Sequence, residues 1–298
     1  MAWVRDWLFF VAAAAATDAP VIRGCDGDGT FGPPLNATGT VAFATKSFTH
    51  NNGRPWYLSV GLKDRRDKNA AYPGVQAVTG YLSLPDDYVR SARTNTQMCV
   101  YHMGQRNTTA SPDGSCQGVI DDACAKLIHE FQESPSFSDG KCPLLPSDDV
   151  CGSQIFQLEK EDEEEKYAYF EPISDTPITL MRSNCSTTVQ PALAGLPDAY
   201  NTQPIFDLQL PYGDTKVDDF TAFDSHVRQS SPVLLVFGAK QDQDDGKVVM
   251  YDSKLLCVAP VNATAGSHVP KSLAVGLRVP LALALVTAAM TPFGLFLC

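Results

Sequence analysis

The 298-residue chain is short of basic residues and lacks the compact motifs of common hydrolase and metal sites. It has 23 Lys and Arg against 34 Asp and Glu, a net charge of −11. Such a chain repels phosphate backbones, which makes nucleic acid an unfavourable partner. No G-x-S-x-G elbow occurs, and no C-x-x-C pair indicates a zinc site.

Metal-binding patterns are also incomplete. The segment 129–133 reads HEFQE, with Glu133 where the zinc pattern H-E-x-x-H requires a second histidine. The stretches CDGDGTFG and QDQDDG resemble calcium loops but lack the full ligand frame with its distal Glu. The sequence therefore indicates no catalytic residue, no metal ligand and no cofactor.

The longest uncharged apolar segment, residues 279–298, closes the sequence. Its length would suit a membrane span. A stop-transfer span is normally followed by Lys or Arg on its cytosolic side, but the nearest basic residue here, Arg278, precedes the segment. Three small residues, Ala265, Gly266 and Ser267, precede a spacer of 11 residues before this segment. That order is typical of a glycosylphosphatidylinositol (GPI) attachment signal, whose tail is removed.

The opening residues predict entry into the secretory pathway. Residues 1–16 combine Arg5 with a short apolar stretch and an alanine run that offers A-x-A cleavage sites. These features are typical of a secretory signal peptide. Four N-x-[ST] sequons agree with that compartment and predict N-glycosylation. They lie at Asn36, Asn107, Asn184 and Asn262.

The cysteine count fits an oxidising environment. Of nine cysteines, Cys298 falls in the predicted tail, which leaves an even set of eight. Eight cysteines in a secreted chain indicate four disulfides, in any of 105 connectivities that sequence does not separate. The set is Cys25, Cys99, Cys116, Cys124, Cys142, Cys151, Cys185 and Cys257.

Hydrophobic patterning predicts a mainly β fold of antiparallel sheets, with a sandwich as one possible arrangement. In WYLSVGL, Trp56, Leu58, Val60 and Leu62 share one face of a strand. Residues 118–132 instead carry apolar side chains at helical spacing, with Cys124 on the buried stripe. Two apolar runs around the polar turn at 245–246 predict a hairpin, and its second strand is expected to lead directly into a tether.

The densest run of charge, residues 159–166, suggests where the chain divides, if it divides at all. The predicted organisation is a signal peptide (1–16), a β-rich part with one helix (17–157), an acidic loop or linker (158–167), a second β-rich half (168–261), the anchor site and spacer (262–278) and the removed tail (279–298). Without the signal and tail, residues 17–265 carry 20 basic and 33 acidic residues.

Aromatic side chains near the turn NNGRPWY allow two interpretations. Trp56 and Tyr57 could form a platform on which a sugar ring stacks, or they could belong to the core of the β fold, which is the more common role for such residues. Arg54 in the same turn makes this the first place to examine for a glycan site.

With these terminal signals, sequons and cysteines, the chain resembles the GPI-anchored surface glycoproteins of filamentous fungi. The resemblance rests on residues 1–16 and 262–298 rather than on the body of the chain. It implies an extracellular protein held by a lipid anchor in the outer leaflet of the plasma membrane or in the cell wall. We expect non-enzymatic binding of wall glycans or surface proteins, as in adhesion, wall organisation or host contact; the alternative is an anchored hydrolase acting on polysaccharide.

Overall fold

A computed structural model describes residues 35–45, 53–91, 96–108, 110–131, 137, 141–146, 151, 157–162, 165–170, 172–180, 193, 195–197, 199–210, 213–240 and 248–270. In chain order the strands are β1 (Ala37–Phe43), β2 (Trp56–Arg66), β3 (Gly74–Pro85), β4 (Thr96–His102), β5 (Leu145–Pro146), β6 (Gln157–Asp162), β7 (Glu165–Phe170), β8 (Ile178–Thr179), β9 (Tyr200–Gln209), β10 (Ser231–Lys240), β11 (Val248–Val258) and β12 (Asn262–Ala263). The helices are α1 (Asp86–Ser91), α2 (Asp122–Phe131) and α3 (Thr221–His226).

These strands form two larger antiparallel sheets and one small one, which confirms the predicted mainly β fold. The first sheet has the order β12-β1-β2-β3-β9, and the second has the order β11-β10-β4-β8. The small sheet has the order β5-β7-β6. Every pairing between neighbouring strands is antiparallel.

The main hydrophobic core lies between the two larger sheets. Alternation along β2 places Trp56, Leu58, Val60 and Leu62 on one fully buried face, as the sequence predicts. Side chains of the second sheet join them in a single apolar cluster, among them Met98, Val100, Val233, Leu235 and Phe237. Two sheets that share one core in this way form a sandwich.

A second apolar cluster covers the outer face of the second sheet. There α2, the predicted amphipathic helix, contributes Cys124 and Ile128 to a layer that also contains Tyr101 and Leu234 of the sheet. Three disulfides cross-link this layer. They join Cys99 to Cys142, Cys116 to Cys257, and Cys124 to Cys151. Six of the eight predicted cysteines are thus paired; Cys25 and Cys185 lie outside the described residues.

Strands from both sides of the acidic run 158–167 enter the same sheets. In the first sheet β3 pairs with β9, and in the second β4 pairs with β10. Most of the acidic run lies in β6 and β7, which pair with each other, where the sequence predicts a loop or linker. The run is therefore part of a hairpin; because residues 159–166 are all charged, they lack the alternation of polar and apolar residues by which a strand is predicted.

The predicted hairpin near the end of the sequence is confirmed, but the path after it differs from the expectation. β10 and β11 pair along their length, with one register shift at Phe237 and Gly238. Instead of leaving the fold after β11, the chain crosses to the first sheet, where β12 pairs with β1. Close approach makes this crossing possible: a Cβ on Gly39 would lie within 2.0 Å of the Ala259 carbonyl oxygen.

Both terminal signals, residues 1–16 and 279–298, lie outside the described residues, as does Asn184. Within the described part of the chain, no helix combines the length and apolar character needed to cross a bilayer.

Candidate functional site

The aromatic platform predicted at Trp56 and Tyr57 is only half available. Trp56 is fully buried and packs against Phe43, Tyr88 and Phe237, with ring centroids 4.9–6.1 Å apart. It joins both sheets in the core, so a glycan has no access to its ring. Tyr57, on the opposite face of β2, is only partly buried.

Tyr57 has a different aromatic neighbour, Tyr200 at the start of β9. Their ring centroids are 5.0 Å apart with an interplanar angle of 82°, an edge-to-face pair. β3 lies between the two strands and places the small Ser83 opposite Tyr57. The two rings can therefore meet across β3. The Tyr200 hydroxyl donates a hydrogen bond to the Pro55 carbonyl at 2.9 Å, which fixes the ring.

Arg54 and Asp87 complete this group, which we call the Arg54–Tyr200 cluster (Arg54, Tyr57, Asp87 and Tyr200). The guanidinium carbon of Arg54 lies 4.7 Å from the centre of the Tyr200 ring, and its Nη2 donates to the Ala199 carbonyl at 3.3 Å. Its Nη1 lies 3.5 Å from a carboxylate oxygen of Asp87. About a third of the Arg54 side chain (35%) and 42% of Asp87 remain exposed.

The electrostatics of the cluster keep the Tyr200 hydroxyl protonated. Burial raises its pKa, and the neighbouring Tyr57 raises it further, whereas Arg54 opposes the shift. Tyr200 therefore acts as a fixed neutral donor. What remains open to solvent is a guanidinium, a carboxylate and part of the Tyr57 ring, a set that offers donors, an acceptor and an apolar surface side by side.

A second charged group lies around Arg66. Its Nε donates to Asp64 at 2.8 Å and its Nη2 to Asp214 at 3.0 Å, and the Gln76 amide donates to both carboxylates. The carboxylate side chains are 3% and 1% exposed. Two facing carboxylates are what a glycosidase requires, so this pair is the group to weigh for the enzymatic alternative.

Its geometry favours a structural role over catalysis. The second oxygen of Asp214 accepts the Ala222 backbone N–H at 2.6 Å. Arg66 also donates to the carbonyls of Val217 and Asp219, both at 2.7 Å. With both acids buried and held by Arg66 and Gln76, the network ties β2 and β3 to the 214–222 segment.

The three described sequons differ in their surroundings. Asn107 is exposed, and its side-chain oxygen accepts the Gln229 amide at 2.6 Å. Asn262 is exposed on β12. Asn36 is partly buried; its amide donates to Ser267 Oγ at 3.4 Å, and its oxygen accepts the Asp64 N–H at 2.8 Å. Thr38, the third residue of that sequon, is buried.

The predicted attachment residues stand in a turn that is fastened to the first sheet. Ala265 and Gly266 are exposed, and Gly266 has a φ of 83° with open space around its Cα. On either side of them, Thr264 donates from its backbone to the Asn36 carbonyl, and its hydroxyl lies 2.9 Å from Ser267 Oγ. The small-residue site is thus accessible at Ala265 and Gly266 and hydrogen-bonded at Ser267.

Sequence reasoning missed Asp87 and Tyr200. They lie 33 and 146 residues after Arg54, and no local pattern joins them to the NNGRPWY turn; only the alignment of β2, β3 and β9 does. Across the described ranges, no group of three or more His, Cys, Asp or Glu side chains is arranged to hold a metal ion.

Comparison of the chain with protein-family models, with curated proteins and with solved structures finds no match.

Proposed function

We propose that this protein is an extracellular, GPI-anchored glycoprotein that binds glycans without turning them over, through the Arg54–Tyr200 cluster. The observation that carries the proposal is the exposure of Arg54 and Asp87 beside a partly buried Tyr57. Sugar sites commonly combine an aromatic surface with planar polar groups that bind ring hydroxyls.

The distribution of carboxylates supports binding over hydrolysis. Asp87 in the cluster contacts Arg54, whereas the facing acids Asp64 and Asp214 are buried and engaged by Arg66. A retaining or inverting glycosidase needs two carboxylates that both reach the scissile bond. The wall-glycan partner and the lipid anchor are proposals that follow from the sequence signals.

Glycan binding is tested with a secreted chain that ends at Pro270, screened on an array of wall polysaccharide fragments. Replacing Tyr57 by Ala should weaken binding at least tenfold while the melting temperature changes little. Tyr72→Ala is the matched control, because Tyr72 is 59% exposed and is not part of the cluster. Equal binding by wild type and Tyr57→Ala would rule out the cluster, and product release from the same glycans would favour the hydrolase.

The anchor is tested on intact cells. Phosphatidylinositol-specific phospholipase C should release the protein into the medium, and an epitope placed after residue 279 should be missing from the surface form. Retention of both protein and epitope on treated cells would contradict the anchor.

A further inference from the structure

His268 packs against the segment 220–224, which contains the start of α3. Its imidazole stacks on the ring of Phe220, with centroids 3.9 Å apart and an interplanar angle of 16°. Its Nε2 lies 2.9 Å from Oδ1 of Asp224, and the ring of Phe223 is edge-to-face with the imidazole, with centroids 5.7 Å apart. This chain segment therefore places a planar basic ring between an aromatic face and a carboxylate.

The Phe220 ring is supported from behind. The guanidinium carbon of Arg66 lies 3.7 Å from its centroid. Two groups within 4 Å of one ring centre have room only on opposite faces, so Arg66 and His268 sandwich the ring. Arg66 is itself fixed by Asp64 and Asp214, which makes the platform rigid whether or not His268 is present.

The carboxylate of Asp224 is placed to recognise an N–H at the edge of a stacked ring. Its side chain is 15% exposed, and His268 is the group that contacts its Oδ1. On the platform's other side, the single positive charge of Arg66 is exceeded by the two negative charges of its buried carboxylate partners, Asp64 and Asp214. Arg228 donates to the backbone carbonyl of Asp224, whereas the group that contacts a ring stacked on Phe220 is the Asp224 carboxylate, which favours a cationic or N–H-bearing ligand.

We infer that Phe220 and Asp224 form a binding site for the planar basic side chain, His or Arg, of an extended peptide segment, and that this chain fills the site with its own His268. The site becomes vacant only in the anchored form, so this inference rests on the proposed anchor: lipid attachment at Ala265, Gly266 or Ser267 removes His268 with the tail. The precursor then occupies the site with its own segment, and the anchored form presents it to a partner protein.

A direct test compares purified chains that end at Ser267 and at Pro270. The probe is a synthetic peptide of residues 266–271, Gly-Ser-His-Val-Pro-Lys, titrated while backbone amide shifts are followed by NMR. The peptide should shift amides around Phe220 and Asp224 in the shorter chain and bind the longer chain at least tenfold more weakly. A His268→Arg peptide should bind, and a His268→Ala peptide should not.

Variants separate recognition from folding. Asp224→Asn in the shorter chain should weaken peptide binding about tenfold, because a charge-assisted hydrogen bond is lost. Asp175→Asn is the matched control, since Asp175 is exposed and distant from the site in sequence. Binding of the Ala peptide as strongly as the His peptide, or no binding to a folded shorter chain, would overturn the inference.

If the shorter chain does not fold, the same inference can be tested on the chain that ends at Pro270. His268→Ala vacates the site without shortening the chain, and free imidazole should raise the melting temperature of this variant more than that of wild type. The effect should be lost in His268→Ala/Asp224→Asn; persistence there would overturn the inference. These measurements use purified protein, whereas the anchor is tested by phospholipase release from cells. The peptide site and the anchor can therefore be contradicted independently of each other.

Discussion

His102 lies on β4 with its imidazole in the interior. Its Nδ1 accepts the Gly104 N–H at 3.3 Å, and its ring centroid is 5.3 Å from that of Phe206. Within the described structure Nε2 has no hydrogen-bond partner. Burial lowers the pKa of His102 from 6.5 to about 4, because a buried imidazolium would lose its hydration.

This shift predicts acid sensitivity. Below about pH 6.5 His102 is protonated in the unfolded chain, whereas in the folded chain it stays neutral until about pH 4. The free energy of unfolding therefore falls as the pH is lowered from about 6.5 to about 4. Between pH 7 and 4.5 His102 should cost about 2 kcal/mol of unfolding free energy. His102→Asn should remove this contribution to the pH-dependent loss of unfolding free energy, measured by urea unfolding at both pH values.

A matched histidine variant provides the control for this pH effect. His268→Asn replaces a partly exposed imidazole and should retain the acid loss assigned to His102. Identical pH dependence in wild type and His102→Asn would show that His102 is not its source.

Asp214 is the residue on which the buried network depends most. It accepts hydrogen bonds from Arg66, Gln76 and Ala222 while only 1% of its side chain is exposed. Asp214→Ala leaves these donors without a shared acceptor and should lower the unfolding free energy by about 3 kcal/mol. The exposed Asp175→Ala should change it by less than about 0.5 kcal/mol in the same denaturant titration.

At the scale of elements, the pairing of β3 with β9 requires a glycine. A Cβ on Gly80 would lie 2.1 Å from the Phe206 ring, at the point where the register between the strands shifts. The bulge and the ring occupy the space that a side chain would need.

Gly80→Ala should therefore destabilise the protein by about 1–3 kcal/mol, the usual cost of overpacking. Phe206→Leu should reduce that cost, since the clash is with the ring. A double-mutant cycle measures the coupling between the two positions. Additive effects of the two substitutions would mean that the clash is relieved by movement elsewhere.

Across the whole molecule, the disulfides act on loops of very different length. Cys116–Cys257 spans 141 residues and links the covering layer to β11, whereas Cys124–Cys151 spans 27. Loop-closure entropy predicts a larger stabilisation from the longer loop, about 5 kcal/mol against about 3.5 kcal/mol. The Cys116→Ser/Cys257→Ser pair should thus melt at a lower temperature than the Cys124→Ser/Cys151→Ser pair.

Calorimetry on the two double variants, with free-thiol counts to verify the remaining bridges, checks this order. A lower melting temperature for the Cys124→Ser/Cys151→Ser protein would show that packing of α2, rather than chain entropy, dominates the layer.

Local periodicity determined much of the fold in advance. Alternation in β2, the helical stripe that contains Cys124 and the β10–β11 hairpin are properties of contiguous residues, so sequence alone predicts them. The same reasoning placed Trp56 on the face with Leu58 and Val60, which is the buried face. The periodicity alone did not decide whether that face packs in the core or binds a ligand.

Tertiary structure decided which distant residues meet. The hydrophobic periodicity of a strand indicates which face a side chain lies on, but not which strand pairs beside it. Likewise, eight cysteines allow 105 disulfide connectivities. Only the order β2-β3-β9 brings Tyr200 to Tyr57, and only the crossing to β12 brings His268 onto Phe220. The sequence by itself determined a β-rich, cysteine-bearing chain with predicted secretory signals; long-range strand order, which no local pattern encodes, decided its candidate sites.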